Sequence, residues 1–396
     1  MVKEKKNNTV FVGLSGGVDS AVSALLLKQA GYNVIGVFIK VWDPSESAQG
    51  KARGRLCSWR VERRSAFAVA ATLDIPLYTL DLSAEYKQAV IDYLLAEYQV
   101  GRTPNPDVVC NQKIKFGAFA DKAFELGADF VATGHYCQIK NLKLKIKNEN
   151  QLQTSLKMVG HGSGFLNLFG VDQQPVLATA VDSNKDQSYF LWAIKPDLLA
   201  KILFPIGHLT KTAVRQLAKK YQLPNADKKD SQGLCFVGDF DFKEFLKEEL
   251  GEKPGSVLNS AGETIGQHLG THFYTIGERH SFTITSDDRS GEAWYIIAKD
   301  SLANTLTVAH EVKTIGNPIA TEILKLKNTN WFFEPTQAKI YQARLRYRAP
   351  LSPCQLQKNK NNDWDLKFLT PVTSPALGQS VVVYDNELVV GGGVIS

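Results

Sequence analysis

The sequence predicts an α/β protein: a doubly wound parallel sheet in the N-terminal half, a small central unit, and a β-rich C-terminal end closed as a barrel or sandwich. Three observations carry this. Short apolar, β-rich runs alternate with helix-period segments as far as Thr133. A glycine-rich turn lies where the first strand hands over to the first helix. From Gly255 onward, short strand-like runs are separated by Gly, Asn, Asp and Pro. The expected divisions are 1–208, 209–279 and 280–396, in keeping with 396 residues at roughly 150 per domain.

Taken in order, Thr9–Leu14 is an apolar run that reads as a buried parallel strand. Ala21, Val22, Leu25 and Leu26 then recur at helical spacing until Gly31 supplies a stop. Asn33–Ile39 is the next strand, which completes a βαβ unit. Val61–Leu73 is a helix and Leu77–Leu80 a short strand. Ala84–Val100 is a long helix, with Ser83 placed to cap it and Gly101 to end it. Ile114–Leu126 is helical and Asp129–Thr133 extended. Lys140–Pro175 is broken by Asn, Gln, Lys and Gly, and alternation over Leu142–Lys147 suggests an exposed hairpin, peripheral to the sheet. Lys211–Tyr221 and Phe242–Leu250 read as helices. The strands expected beyond them are Trp294–Ala298, Thr305–Ala309, Ala338–Tyr347, Trp364–Phe368 and Ser380–Tyr384.

Composition narrows the class further. Hydrophobic residues at 44% and charged residues at 22% exclude collagen-like, coiled-coil and wholly disordered chains. No run of about 18 apolar residues occurs, so a membrane-spanning helix is not expected, and the polar start predicts a cytoplasmic protein. A net charge of +6 permits a polyanionic partner without demanding one. Five cysteines (Cys57, Cys110, Cys137, Cys235, Cys354) without a CxxC pair fit neither a disulfide framework nor a structural zinc site.

Two features carry chemistry. The turn Gly13-Leu14-Ser15-Gly16-Gly17-Val18-Asp19-Ser20 brings backbone N–H groups and a helix N-terminus together, which suits phosphate. Asp19 adds a carboxylate that suits a bridging Mg²⁺. The spacing is neither GxxxxGK[ST] nor GxGxxG, which argues against a γ-phosphate-cleaving NTPase and a dinucleotide oxidoreductase; a tight turn packed for its own sake is the bland alternative. The second feature is Thr103-Pro104-Asn105-Pro106-Asp107-Val108-Val109-Cys110-Asn111. Two prolines stiffen it, and Lys113 lies close enough in sequence to favour a thiolate. A second cysteine sits far along the chain in Asp230-Ser231-Gln232-Gly233-Leu234-Cys235-Phe236. For each cysteine alone, a buried structural thiol is the alternative.

The hexapeptide Ser15–Ser20 resembles the PP-loop of ATP pyrophosphatases, which split ATP between the α- and β-phosphates. Together with TPNPDxxCN, Ala132-Thr133-Gly134-His135-Tyr136, Asn184–Leu191 (NKDQSYFL) and DSxGxCF, in that order along nearly the whole chain, it is similar to the tRNA-specific 2-thiouridylase family. The resemblance implies a PP-loop sheet, a small connecting domain and a C-terminal β-barrel. It implies that ATP with Mg²⁺ adenylates the C2 oxygen of the wobble uridine, position 34, in a tRNA anticodon stem-loop. Cys235 would then carry a persulfide, Cys110 would be the nucleophile of the pair, and the two would be left as a disulfide. Asp107 would be the acid/base candidate, and residues 13–20, Ile39 and Gly134 would hold the nucleotide. Asn105, Pro106 and Asp107 would meet the target base, with His135, Lys185, Asp186, Gln187, Arg346, Tyr347 and Gln379 as further tRNA contacts. An upstream sulfur donor, a cysteine desulfurase or sulfur carrier, is implied as a partner. Cys57, Cys137 and Cys354 are expected to be structural. Another adenylating PP-loop ligase would lack the two cysteine motifs, and a binding-only relative would not need Asp19, Asp107, Cys110 and Cys235 together.

Four places depart from the family pattern. Thr275–Phe282 replaces a GQRKGL-like run, Ala376-Leu377-Gly378-Gln379 replaces PGQ, and the Lys140–Pro175 excursion is longer than usual. The fourth is a basic cluster: Lys51, Arg53, Arg55, Arg60, Arg63 and Arg64, six cations within fourteen positions opposed by Glu62. Read as phosphate contacts, these predict that replacing Arg53, Arg55 and Arg60 by Ala flattens the salt dependence of tRNA binding by about one unit per contact. An unchanged slope overturns that reading.

Overall fold

The computed structural model describes residues 8–42, 58–143, 173–230, 242–279, 281–285, 292–310, 320–360, 363–373 and 376–396. The first unit is a five-stranded parallel sheet of β1 (Thr9–Gly13), β2 (Asn33–Lys40), β3 (Leu77–Asp81), β4 (Phe130–Ala132) and β7 (Ile202–Leu203). Its order is β3-β2-β1-β4-β7, with every pairing parallel. Val10, Phe11 and Val12 are all buried, which is why β1 reads as a continuous apolar run and not as an alternation. The order reverses between β1 and β4, so the crevice at their carboxyl ends is where an open sheet of this kind collects a ligand. The glycine-rich turn follows β1, and Gly134 follows β4.

The helical stretches begin close to where the sequence sets them but are less regular. Ser83–Tyr86 leads into a π-helical Lys87–Asp92 and then Tyr93–Gln99. Ser83 does not cap this run. It is the first helical residue, and both its backbone N–H and its hydroxyl donate to Asp81 Oδ1. The segment expected to be helical from Ile114 starts earlier, at Pro106–Val109, and widens into a π-helix over Cys110–Ala118 before Phe119–Glu125.

Lys211–Lys220 packs against the first helix, Val18–Gln29, and shares its apolar cluster through Val214 and Ala218. Residues just past 208 therefore extend the first unit. The central unit is a sheet ordered β10-β9-β8-β12-β11, from β8 (Gly255–Leu258), β9 (Thr264–His268), β10 (Thr283–Ile284), β11 (Tyr295–Asp300) and β12 (Thr305–Ala309). β12 pairs in parallel with β8, so this sheet crosses the expected boundary at 279–280 and runs to Ala309. Turn spacing alone could not show this, because strands from either side of a division look alike until they pair.

Six strands form the C-terminal barrel: β13 (Ala320–Trp331), β14 (Tyr341–Arg344), β15 (Ser352–Lys358), β16 (Trp364–Thr373), β17 (Ser380–Asp385) and β18 (Leu388–Ile395). The order is β13-β16-β15-β14-β17-β18, and β13 pairs back to β18 to close the ring. The excursion contributes more than a peripheral hairpin. β5 (Gln138–Lys143) and β6 (Gln173–Ala178) pair with each other, and Ala178 pairs with Leu388, so the first unit lends two strands to the barrel's sheet. Leu144–Lys147, the rest of the expected hairpin, lies outside the described residues.

Cys354 is buried in the barrel core, opposite Tyr341 and Phe368 in the ladder. Burial pushes its thiol up to about 12, so it stays neutral and packs as an apolar group. Replacing Cys354 by Ser brings a hydroxyl into that core and is expected to cost about 1–3 kcal/mol of stability. An unchanged urea midpoint would contradict the structural role.

Candidate active site

The turn after β1 is fixed by its backbone. Gly16 has φ +79°, and a Cβ on it would lie 2.4 Å from the Glu62 carbonyl oxygen, so only glycine fits. Three donors converge on the Gly16 carbonyl: Ser65 Oγ at 2.9 Å, Asn225 Nδ2 at 2.9 Å and Lys228 Nζ at 3.3 Å. Gly17 is the N-cap of the first helix and no side chain caps it, so the helix start keeps the positive end of its dipole for an anion. Ser15 and Ser20 bond each other's segment across the turn. A Cβ on Gly134 would come 2.6 Å from the Ser20 amide nitrogen, which makes glycine a requirement for the post-β4 loop to lie against the first helical turn. Ile39, at the end of β2, is buried.

Charge gathers behind this turn. Asp19 accepts from the Tyr136 hydroxyl at 2.8 Å and from Lys211 Nζ at 2.8 and 2.9 Å, one contact to each oxygen. The Lys211 side chain is only 13% exposed, and its ammonium also lies 2.8 Å from Asp230 Oδ1. Asp230 receives Lys185 at 2.7 Å and Arg215 at 2.8 Å as well. Burial alone would raise the Asp230 carboxyl, but hydrogen bonds from Lys185 and Lys211 outweigh it and hold it at about 2. Lys228 pairs with Glu62 at 2.7 Å. Among the described residues no cluster of three His, Cys, Asp or Glu side chains is available to hold a metal ion alone. A single carboxylate beside a phosphate-binding turn does fit Mg²⁺, which takes most of its ligands from substrate phosphates and water.

The second chemical segment borders the same core. Asn105 caps the short helix that Pro106 opens, its Oδ1 accepting from the Val108 amide at 3.3 Å. Asp107 stands in the first turn, and Cys110, 1% exposed, begins the π-helical stretch. That widened turn is accommodated by a kink at Gly117 (φ −114°, ψ −106°), a geometry that recurs at functional sites. Cys110 and Ile39 belong to one buried apolar cluster, so the cysteine and the carboxyl end of β2 share a core. Lys113 is exposed. Cys235, with Ser231–Phe236, and Cys57 lie outside the described residues.

Residues expected to face RNA are largely engaged within the protein. His135 is buried between Phe116 and Phe204. Its Nε2 lies 3.2 Å from Lys115 Nζ and its Nδ1 2.7 Å from Thr133 Oγ1. An ammonium only donates, so Nε2 accepts and Nδ1–H donates to Thr133. Burial, then the Lys115 charge, push the imidazole well below its ordinary pKa, which agrees with that neutral form. Asp186 is buried, accepting from the Ala180 and Ser188 amides and the Ser188 hydroxyl. Gln187 accepts from the Tyr136 amide. The Tyr347 ring packs 4.5 Å from Phe190, and Arg348 lies over it and donates to the Asn184 carbonyl. The 184–190 segment and the Arg346–Arg348 turn thus form one contact between the first unit and the barrel. Gln379 Nε2 donates to the Thr103 carbonyl at 3.0 Å. Of the basic cluster, Arg60 lies over Trp59 and Arg63 donates to Thr79 Oγ1, while Lys51, Arg53 and Arg55 are outside the described residues.

Tyr136, Lys211, Arg215, Asn225 and Lys228 were not singled out by sequence reasoning, and Glu62 only as the charge opposing the basic cluster. Tyr136 stood inside the ATGHY motif and Asn225 and Lys228 just ahead of DSxGxCF, the only signal they gave. Cys137, a neighbour of Tyr136, donates to the Ala178 carbonyl and is held neutral by burial.

Residues 8–239 match the family described as the tRNA methyl transferase HUP domain, 243–310 the tRNA methyl transferase PRC-barrel domain and 321–395 the aminomethyltransferase beta-barrel domain. The middle match ends where the β8–β12 sheet ends. The chain is 40% identical to a tRNA-specific 2-thiouridylase MnmA of Nitrosomonas eutropha, over 98% of each chain. It is likewise 40% identical to the one from Thiobacillus denitrificans, over 98% of this chain and 99% of that protein. With the one from Listeria monocytogenes it shares 39% identity over 98% and 94%.

The Asp230 cluster gives a pH signature. A carboxyl held at about 2 against an ordinary 3.8 stabilises the fold fully above the ordinary value and loses that contribution as pH falls toward 2. Asp230→Asn is therefore expected to lower stability at pH 7 and to lose less than the wild type between pH 4 and pH 2, read by urea denaturation across that window. Parallel stability–pH curves for the two proteins would refute the assignment.

Proposed function

The chain belongs to the tRNA-specific 2-thiouridylase family, and on that premise we propose that it thiolates C2 of the wobble uridine of tRNA at the expense of ATP. The observation that carries the reading is the union, in one buried core, of a PP-loop sheet and the Cys110 segment. A sheet that only bound nucleotide would have no use for a cysteine stiffened into place by Pro104 and Pro106.

The chemistry begins from a weak electrophile. The C2 carbonyl of uridine is amide-like and yields to sulfur only when its oxygen becomes a leaving group. The uridine oxygen takes the α-phosphoryl group, and pyrophosphate leaves into the concavity of Ser15–Ser20. The uncapped helix start and the Lys211 and Lys228 ammonium groups favour that departing charge. Mg²⁺, held by Asp19 together with the phosphates, would supply further charge neutralisation. The terminal sulfur of a persulfide on Cys235 then bonds to C2, and the C2–O bond breaks with its electron pair leaving on AMP. The Cys110 thiolate bonds to Cys235 Sγ, the S–S bond to the transferred sulfur breaks, and 2-thiouridine is freed with a Cys110–Cys235 disulfide behind it. A thiol reductant and a sulfur donor protein reset the pair. Asp107, in the first turn of the Cys110 helix, is the group suited to move a proton at the base or at sulfur. The wobble base must leave its stack to reach this site, as in other base-modifying enzymes.

Nucleoside mass spectrometry of tRNA incubated with the protein, ATP, Mg²⁺ and a persulfide donor tests this. The wild type is expected to form 2-thiouridine, with pyrophosphate release that depends on tRNA. Cys110→Ser and Cys235→Ala should each lose product formation by at least about 100-fold while still binding tRNA. No 2-thiouridine from the wild type, or full activity in Cys235→Ala, would overturn the mechanism.

A further inference from the structure

The segment that carries Asp107 and Cys110 is held at its upstream end by both other units, and the grip falls on one residue. Thr103 is buried; its two backbone polar groups are used by the barrel and its hydroxyl by the central unit. Its amide donates to the Leu377 carbonyl of the barrel at 2.8 Å. Its carbonyl accepts from Gln379 Nε2 of the barrel at 3.0 Å. Its hydroxyl lies 3.3 Å from the Thr275 hydroxyl of the central unit.

The neighbours leave little slack. Gly101 has φ +74°, and a Cβ on it would sit 2.2 Å from Ser301 Oγ of the central unit. Arg102 is tied to Glu97 at 2.8 Å. Gly378 has φ +88°, and a Cβ there would press on Arg102 and on the Thr103 carbonyl at 3.1 and 3.2 Å. Tyr189, nearby, is itself tied to the barrel, its hydroxyl donating to the Ser380 carbonyl at 2.7 Å. Between Thr103 and Asp107 the backbone has few free dihedrals, because Pro104 and Pro106 fix their own φ and restrict the residues before them. A displacement at Thr103 is therefore passed to Asp107 and Cys110 and not absorbed on the way.

We propose that Thr103 and Gln379 are positioning residues that register the Asp107–Cys110 segment against the central and C-terminal units. The inference rests on the thiolation reading for its rate consequence. It gives Gln379 an internal task, and it makes correct seating of the barrel a condition for sulfur transfer. Since a misplacement of about 1 Å at a reacting group can cost about 100-fold in rate, loss of either bond should act on the chemical step and not on affinity.

The test compares Thr103→Val, Thr103→Ser and Gln379→Met with the wild type in the full-length protein. Single-turnover formation of 2-thiouridine, tRNA affinity by filter binding, thermal midpoint, and labelling of Cys110 by iodoacetamide are measured for each. Thr103→Val and Gln379→Met are expected to slow single-turnover product formation by about 10- to 100-fold. The tRNA Kd of Thr103→Val should stay within about twofold of the wild type. Cys110 labelling should accelerate in both, and Thr103→Ser should restore the wild-type rate and protection. The double variant should lose little more than either single one, because both bonds end on Thr103. Wild-type rates and labelling in both variants overturn the proposal. So does a loss that appears only as weaker tRNA binding, which would make Gln379 an RNA contact, or only as a lower thermal midpoint. If the wild type itself forms no 2-thiouridine, the thiolation reading fails, while the Cys110 labelling rates still decide whether Thr103 positions the segment.

Discussion

The Gly16 carbonyl is the point to which the nucleotide half of the site is tied. Gly16 is left-handed, and donors from Ser65, Asn225 and Lys228 capture its carbonyl oxygen. Those donors come from parts of the chain 49 to 212 residues away, so the loop is shaped by the assembled fold and not by local turn preference. The carbonyl's commitment leaves the loop's N–H side and the open helix start for a ligand. It also brings Lys228, and with it Asp230, to the edge of the site.

Electrostatics then follow from what is packed around that point. Lys211 lies between Asp19 and Asp230, and Lys185 and Arg215 share the second of these. Removing one partner from such a set leaves charge without its counter-ion, which costs more than the pair contributes when intact. The same arrangement sets cations beside the glycine-rich turn, with carboxylates that keep them in place. Asp230 is the last described residue before the Cys235 segment, so this network and the second cysteine are neighbours in the chain.

The three units are not separate beads. β5 and β6 belong by sequence to the first unit but complete the sheet of the barrel, and Val382, Tyr384 and Val389 of the barrel share a buried cluster with Phe11 and Cys110. Thr103 adds a polar junction at the same boundary. The barrel and the Cys110 segment are in this way linked through packing, since a barrel that shifted would disturb the core around the cysteine.

The strand–helix alternation, the loop at Ser15–Ser20 and the stiffened segment leading to Cys110 were legible in the sequence, because each depends on residues near one another in the chain. A buried parallel strand must be apolar, a phosphate-binding turn needs glycines, and a stiff loop needs prolines, wherever the rest of the chain goes. The central-unit boundary, the docking of β5–β6 on the barrel and the π-helical turn at Cys110 were not legible, because strand partners and helix distortions are chosen by long-range packing. The same holds for the candidate site. Asp19, Asp107 and Cys110 stand within motifs, whereas Lys211 carries no local mark that separates it from a solvated side chain, and Asn225 and Lys228 none beyond their place just ahead of DSxGxCF. His135 and Gln379, which the resemblance implies as tRNA contacts, have internal partners that no local feature of the sequence marks. Sequence determined which chemical groups this protein possesses and the order of its elements; the tertiary structure decided which of those groups meet, because hydrogen bonds and ion pairs a few ångströms long join residues up to hundreds of positions apart.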